Sequence, residues 1–225
     1  MDRPRTTSYY NIAFPDEPVG DGSMPNNSIK MVTVYAASSQ DLAPKYYRAA
    51  RRTGEVLAEA GLSVCFGGGG EGLMGAMADG ALAGGAEVHG VVPEMLRGLE
   101  LSHTGLTSLD VVSDMRVRKH RMLERSDAVV TLPGGCGTYE EVFEALTLKR
   151  LGEWLGPIVL VNTDGFYDLF IRFLEHSVRE RFMGDEHANM WSVVSEPEEI
   201  IGAMRNAHEW SSDALQFANV TARPR

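Results

Sequence analysis

The chain lacks the marks of several protein classes. It has only two cysteines in 225 residues, Cys65 and Cys136. That is too few for a disulfide framework and fits a reducing, cytoplasmic compartment. No apolar run approaches the roughly 20 residues a membrane helix needs, and the N-terminus has no apolar core of a signal peptide. Positive charge is scarce: 21 Lys and Arg against 31 Asp and Glu give a formal charge of −10. A polyanion such as DNA would be repelled overall, so neither a nucleic-acid nor a membrane partner is expected. A small anion can still bind through a local cluster of positive groups. The six histidines show no HExxH or comparable spacing, so no metal site is expected. Internal repeats, heptads and low-complexity tracts are missing too.

What is present is a chain 44% hydrophobic, enough for one sizeable core. Residues 1–30, rich in Pro, Asp, Asn, Gly and Ser, read as an irregular arm. From Met31 short apolar runs alternate with helical segments. Strands are expected at 31–36, 62–66, 87–92, 109–112, 128–132, 157–161 and 192–194. Helices are expected at 44–60, 73–83, 114–125, 142–150, 166–181 and 196–209, with a tail over 210–225. The strands are continuous apolar runs rather than alternating ones. That pattern implies an α/β fold, a doubly wound parallel sheet with helices on both faces. Ligands in such sheets bind at the carboxyl ends of the strands.

The chain is organised around Leu132-Pro133-Gly134-Gly135-Cys136-Gly137-Thr138-Tyr139-Glu140-Glu141. Strand, glycine turn and helix in this order present free backbone N–H groups to an anion. Gly134, Gly135 and Gly137 permit close approach, and Thr138 adds a hydroxyl. The turn is no Walker loop, because no Gly-Lys-Ser or Gly-Lys-Thr ends it. Glu140 and Glu141 are expected in the first helical turn, where acids favour the dipole. Beside a bound phosphate, however, a carboxylate is repelled unless it has a second task, such as gripping ribose or facing a developing cation. Cys136 reads as a packed small side chain. Upstream, Met115-Arg116-Val117-Arg118-Lys119-His120-Arg121 offers cations, of which Arg118 and Lys119 are the counterparts to an anion and Arg116 and Arg121 face water. A second glycine stretch, Gly67 to Gly75, lacks the dinucleotide pattern; its glycines let a substrate lie against the backbone.

Together, Gly68-Gly69-Gly70 with Gly72-Leu73-Met74-Gly75, Met115 with Arg118-Lys119, and Pro133-Gly134-Gly135-x-Gly137-Thr138-x-x-Glu141 resemble the LOG (Lonely Guy) family, over about residues 31–184. The resemblance implies a Rossmann-like domain over residues 31–209 and a homodimer. It implies hydrolysis of the N-glycosidic bond of N6-modified AMP, or AMP itself, to free base and ribose 5-phosphate, without a cofactor. Arg118 and Glu141 match the family's catalytic pair. Glu100, Lys119, Gly135, Cys136, Gly137, Thr138, Tyr139, Glu140 and Thr147 match its substrate contacts, and Ser38, Met115, Gly134, Gly68, Gly69 and Gly70 lie in the matching motifs. The chain departs from the pattern at Ala36-Ala37-Ser38-Ser39, where Cys-Gly-Ser-Ser is typical, and at Leu148, where Trp is common. Two other readings use the same loop: a carrier of a phosphorylated cofactor such as the molybdenum cofactor, and a lysine decarboxylase. The latter needs a Schiff-base lysine, for which Lys119 is the one candidate in the crevice.

Overall fold

The computed structural model describes residues 29–96, 102–216 and 218. Most of the N-terminal arm, Glu100 and the end of the chain lie outside them. Seven strands form one sheet: β1 Met31–Tyr35, β2 Ser63–Phe66, β3 Val88–Pro93, β4 Ser108–Val112, β5 Ala128–Thr131, β6 Ile158–Val161 and β7 Ser192–Val194. All pair in parallel, in the order β4-β3-β2-β1-β5-β6-β7. Their Val-rich sequences suit a pleat buried on both faces. The helices are α1 Pro44–Glu59, α2 Gly72–Ala83, α3 Met115–Glu124, α4 Cys136–Leu151, α5 Asp168–Arg179 and α6 Ile200–Arg205.

The sheet separates two cores. On one face Val32, Val34, Val64 and Phe66 pack against Leu57 of α1, Met77 of α2 and Ile200 and Met204 of α6. On the other, Tyr35, Cys65, Val91 and Val129 pack against Met122 of α3, Val142 and Ala145 of α4 and Leu174 of α5. The fold is therefore the doubly wound α/β sheet that the alternation of strands and helices implies. The chain builds outward from β1 to β4, then returns to the opposite side of β1 for β5. That reversal opens a crevice at the carboxyl ends of β1 and β5.

Three details differ from expectation. Helix α4 begins at Cys136, inside the glycine loop, because a glycine at the second helical position costs only about 1 kcal/mol and Gly135 caps it in extended conformation. Glu140 and Glu141 accordingly stand in the second turn. Helix α6 is short: Pro197–Glu199 forms a 3-10 turn before it, and its buried Ile200 and Met204 span one turn. The segment after Glu209 is packed where described: Trp210 and Ala214 are buried against the α4 side of the sheet. Gly152, in left-handed conformation (φ 78°), ends α4 where Ser212 crosses it, its carbonyl oxygen 2.5 Å from where a Cβ would stand.

Candidate active site

The loops after β1 and β5 flank the crevice. Ser39, Leu42, Tyr46, Leu73, Gly134, Gly135 and Phe166 line a cleft of ≈ 200 Å³ there. At its floor α4 starts with Gly135 as a cap that has no side chain to bond. The first-turn amides of Cys136, Gly137 and Thr138 have no intrahelical acceptor, and they carry the positive end of a 16-residue helix. The glycines here have different reasons. A Cβ on Gly134 would lie 2.0 Å from Thr138 Oγ1, so Gly134 admits the buried Thr138 side chain. Gly135 and Gly137 would place a Cβ in open space. Nothing in the fold requires glycine there, whereas a ligand lying against the backbone would.

Beyond this loop stand Arg118 and Glu141, both side chains 8% exposed, with Nη1 and Oε1 3.6 Å apart. Asp114 sets the position of Arg118. It caps α3 by accepting from the amides of Arg116 (2.9 Å) and Val117 (3.0 Å). Arg118 is then fixed by the backbone: Nε donates to the Val91 carbonyl (3.0 Å), Nη2 to the Gly67 carbonyl (3.2 Å), and Nη1 lies 3.7 Å from Met115 Sδ. A Cβ on Gly67 would meet Nη2 at 2.0 Å, so that glycine makes room for the guanidinium. Burial pushes the Glu141 carboxyl up to about 7, outweighing the lowering by Arg118; Glu140 and Glu144 add repulsion and Lys119 opposes it. Such a group takes and gives a proton near neutral pH.

Lys119 stands next to Arg118 but faces other partners. Its Nζ pairs with Glu140 Oε1 at 2.8 Å and Glu144 Oε2 at 3.2 Å. Burial acts to lower its pKa, but those two carboxylates outweigh it and raise it. The amine stays protonated. The second glycine stretch is close by, with Gly68 and Gly69 buried and Gly70 exposed. Two amides in the first turn of α2, those of Leu73 and Met74, already donate to the Ala37 carbonyl and are not free for an anion.

The structure thus brings together Arg118, Lys119, Met115, Glu140, Glu141, Thr138 and the loop glycines, with exposed Ser38 on the facing turn. Tyr139 instead turns into an aromatic cluster with Tyr167 and Phe170. Thr147 is exposed on the outer side of α4, its hydroxyl donating to the Phe143 carbonyl. Cys136, the first residue of α4, is exposed rather than packed. Arg116 is exposed, while Arg121 is half-buried and pairs with Asp110 and Glu124. Sequence reasoning did not foresee the roles of the Gly67 and Val91 carbonyls, which belong to the loop after β2 and to β3, both distant from Arg118 in the chain. Among the described residues no cluster of three or more His, Cys, Asp or Glu could hold a metal ion, and no helix is long and apolar enough to cross a membrane.

Comparison with known proteins adds three findings. The family described as "Possible lysine decarboxylase" matches residues 74–204. A cytokinin riboside 5'-monophosphate phosphoribohydrolase of Rhodococcoides fascians is 39% identical over 178 residues, covering 79% of this chain and 90% of that protein. The enzyme LOG of Oryza sativa subsp. japonica, of the same name, is 36% identical over 168 residues, 75% of this chain and 69% of its own. Among solved structures, the molybdenum cofactor carrier protein of Chlamydomonas reinhardtii superposes with a TM-score of 0.59 at 21% identity, over 80% of this chain and 98% of that one. The molybdenum cofactor binding protein of Rippkaea orientalis gives 0.58 at 20% identity, over 77% and 94%. At those identities the structures establish a common fold.

Proposed function

The chain belongs to the LOG family of cytokinin riboside 5'-monophosphate phosphoribohydrolases, and from that premise we propose that it hydrolyses the N-glycosidic bond of AMP-type nucleotides, those with an N6 substituent included. The observation that carries this reading is the buried Arg118–Glu141 pair beside the open glycine start of α4. A 5′-phosphate on the amides of Gly137 and Thr138 sets the ribose about 4–8 Å further along α4, the rise between Cys136 or Thr138 and Glu141 at about 1.5 Å per residue. The glycosidic bond then lies over Glu141.

In this reaction the bond between the anomeric carbon and the purine nitrogen breaks with its electron pair leaving on the base. Positive charge grows on the ribose ring, as in glycoside hydrolysis generally, and the ionised Glu141 carboxylate faces it. A water adds to the anomeric carbon and gives its proton to Glu141 or to solvent, while the leaving nitrogen takes one up. Arg118 is bonded to the carbonyls of Val91 and Gly67, on the β2 and β3 side of Glu141 and away from the α4 amides. It therefore serves the ring and departing base rather than the phosphate.

Two rival readings fare less well. A Schiff-base lysine must be neutral to attack, yet Lys119 is held charged by Glu140 and Glu144, and Lys149 is buried against the carbonyls of Leu155 and Gly156. A cofactor carrier would use the phosphate loop but gives the Arg118–Glu141 pair no task. The homodimer is supported by an apolar outer face on α4 and α5, where Phe143, Leu169 and Phe173 are 41%, 72% and 57% exposed.

The test is a nucleotide panel assayed for free base and ribose 5-phosphate. AMP or N6-isopentenyl-AMP should be cleaved, and Glu141→Gln and Arg118→Ala should each remove most of that activity while the protein stays folded. Full activity in either variant would overturn the site. Retention of a phosphorylated cofactor through purification, with no base released from any nucleotide, would favour the carrier.

A further inference from the structure

The cleft beside the start of α4 has two sides of different chemistry. One is polar: Gly134 and Gly135 lie at the positive end of α4, and Ser39 brings a hydroxyl. The other is apolar: Leu42 just before α1, Tyr46 in its first turn, Leu73 of α2 and Phe166 after β6. Both sides are held by direct contacts. The Ala37 amide donates to the Pro133 carbonyl (3.3 Å), and the Leu73 and Met74 amides donate to the Ala37 carbonyl (2.9 and 3.2 Å). The turn that carries Ser39 is thereby tied to the glycine loop and to α2. Tyr46 and Phe166 meet edge to face with ring centres 5.9 Å apart, and Lys45 pairs with Asp164 across the same junction.

The nucleotide does not use the apolar side. Helices α1 and α2 cover one face of the sheet, and α3 and α4 the other. Arg118, Lys119 and Glu141 belong to α3 and α4, and none of them lines the cleft. With the phosphate on the α4 amides and the ribose running toward Glu141, sugar and base extend away from Leu42, Tyr46 and Phe166. The glycine loop therefore separates two compartments that share one anion position. An apolar cavity of about 150 Å³ takes up benzene; this cleft, at ≈ 200 Å³, has room for one ring beside the anion.

We propose that this cleft binds aryl phosphates, small monoesters whose phosphate takes the α4 amides and whose single ring enters the apolar side against Leu42, Tyr46 and Phe166. Such a ligand excludes the nucleotide phosphate and so regulates the site by competition. The shared anion position rests on the phosphoribohydrolase reading; the ring compartment is a property of the cleft alone.

The probes are phenyl phosphate, glycerol 2-phosphate and inorganic phosphate, each titrated calorimetrically into the full chain. Phenyl phosphate should bind at least about tenfold tighter than the other two, through burial of its ring. Equal affinities overturn the proposal. Leu42→Trp fills the apolar side and should remove the preference; a preference that survives places the ring elsewhere and overturns the proposal equally. If Leu42→Trp does not fold, Phe166→Ala takes away one aromatic wall and should weaken the preference, and an unchanged preference again overturns it. In turnover, phenyl phosphate should raise KM for the nucleotide and leave kcat unchanged; a fall in kcat would overturn the shared anion position. A ring preference that depends on Leu42 in a protein that cleaves no nucleotide would sink the enzymatic reading and leave the cleft standing. No affinity for any of the three probes would sink the anion loop and the cleft together.

Discussion

Glu141→Gln should stabilise the protein, increasingly so as pH rises from about 4.5 to 7. In the unfolded chain this carboxyl titrates at 4.5; in the fold, burial pushes it up to about 7, against the lowering by Arg118. The folded state therefore holds the proton more tightly than the unfolded one. The stability this group contributes is full below about 4.5 and is lost as pH climbs to about 7, after which it is constant. At about 1.4 kcal/mol per pH unit the loss is about 3 kcal/mol. Glutamine cannot ionise and so does not incur it. Arg118 is charged throughout and keeps its carbonyl acceptors in the variant, so its lost partner adds an offset independent of pH. Asp114, Glu59 and Glu198 are held low by hydrogen bonds to the Val117 amide and to Arg52, but they titrate alike in both proteins and cancel in the difference. For a domain of this size 1 kcal/mol moves the melting temperature by about 2–4 °C, so the variant should gain about 6–12 °C on wild type between pH 4.5 and 8. Differential scanning calorimetry across that range measures it. A difference in melting temperature that is flat with pH would refute the account of Glu141 as a desolvated carboxylate, and with it the expected loss of activity below pH 7.

Two further outcomes follow from the packing. Gly67→Ala sets a methyl where Arg118 Nη2 stands; the guanidinium must leave the Val91 and Gly67 carbonyls, so activity should drop at least about tenfold through misplacement alone, with circular dichroism unchanged. Wild-type kcat/KM in that variant would show that the carbonyl grip is dispensable. Phe173→Asp puts a charge in the exposed apolar face of α5 and should turn the proposed homodimer into a monomer in light scattering after size exclusion; a dimeric mass kept in the variant would place the interface elsewhere, and a monomeric wild type would overturn the proposed dimer.

Much of the architecture was legible in the chain. Continuous runs such as Ala128-Val129-Val130-Thr131 admit only a strand covered on both faces, and glycine turns after such strands mark crevice loops by local geometry. Less legible was the start of α4. The loop glycines concealed it, because glycine reads as a breaker although its cost in a first turn is small. The packed state of Trp210 was hidden as well, since the surface that receives it, around Gly152 and α4, is assembled from elsewhere in the chain.

The sequence by itself determined the parallel sheet and the strand–glycine turn–helix at Gly134 to Thr138 as a candidate anion loop, and its family motifs marked Arg118 and Glu141 as a pair worth testing, because each of these signals is encoded within short stretches. Only the tertiary structure decided what those side chains do to one another. It buried Glu141 deeply enough to titrate near neutrality, locked Arg118 onto carbonyls of β3 and the loop after β2, and turned Lys119 toward Glu140 and Glu144. Desolvation and hydrogen-bond partners depend on which strands and helices meet, and residues 21 to 51 positions apart meet here only through the order of strands in the sheet.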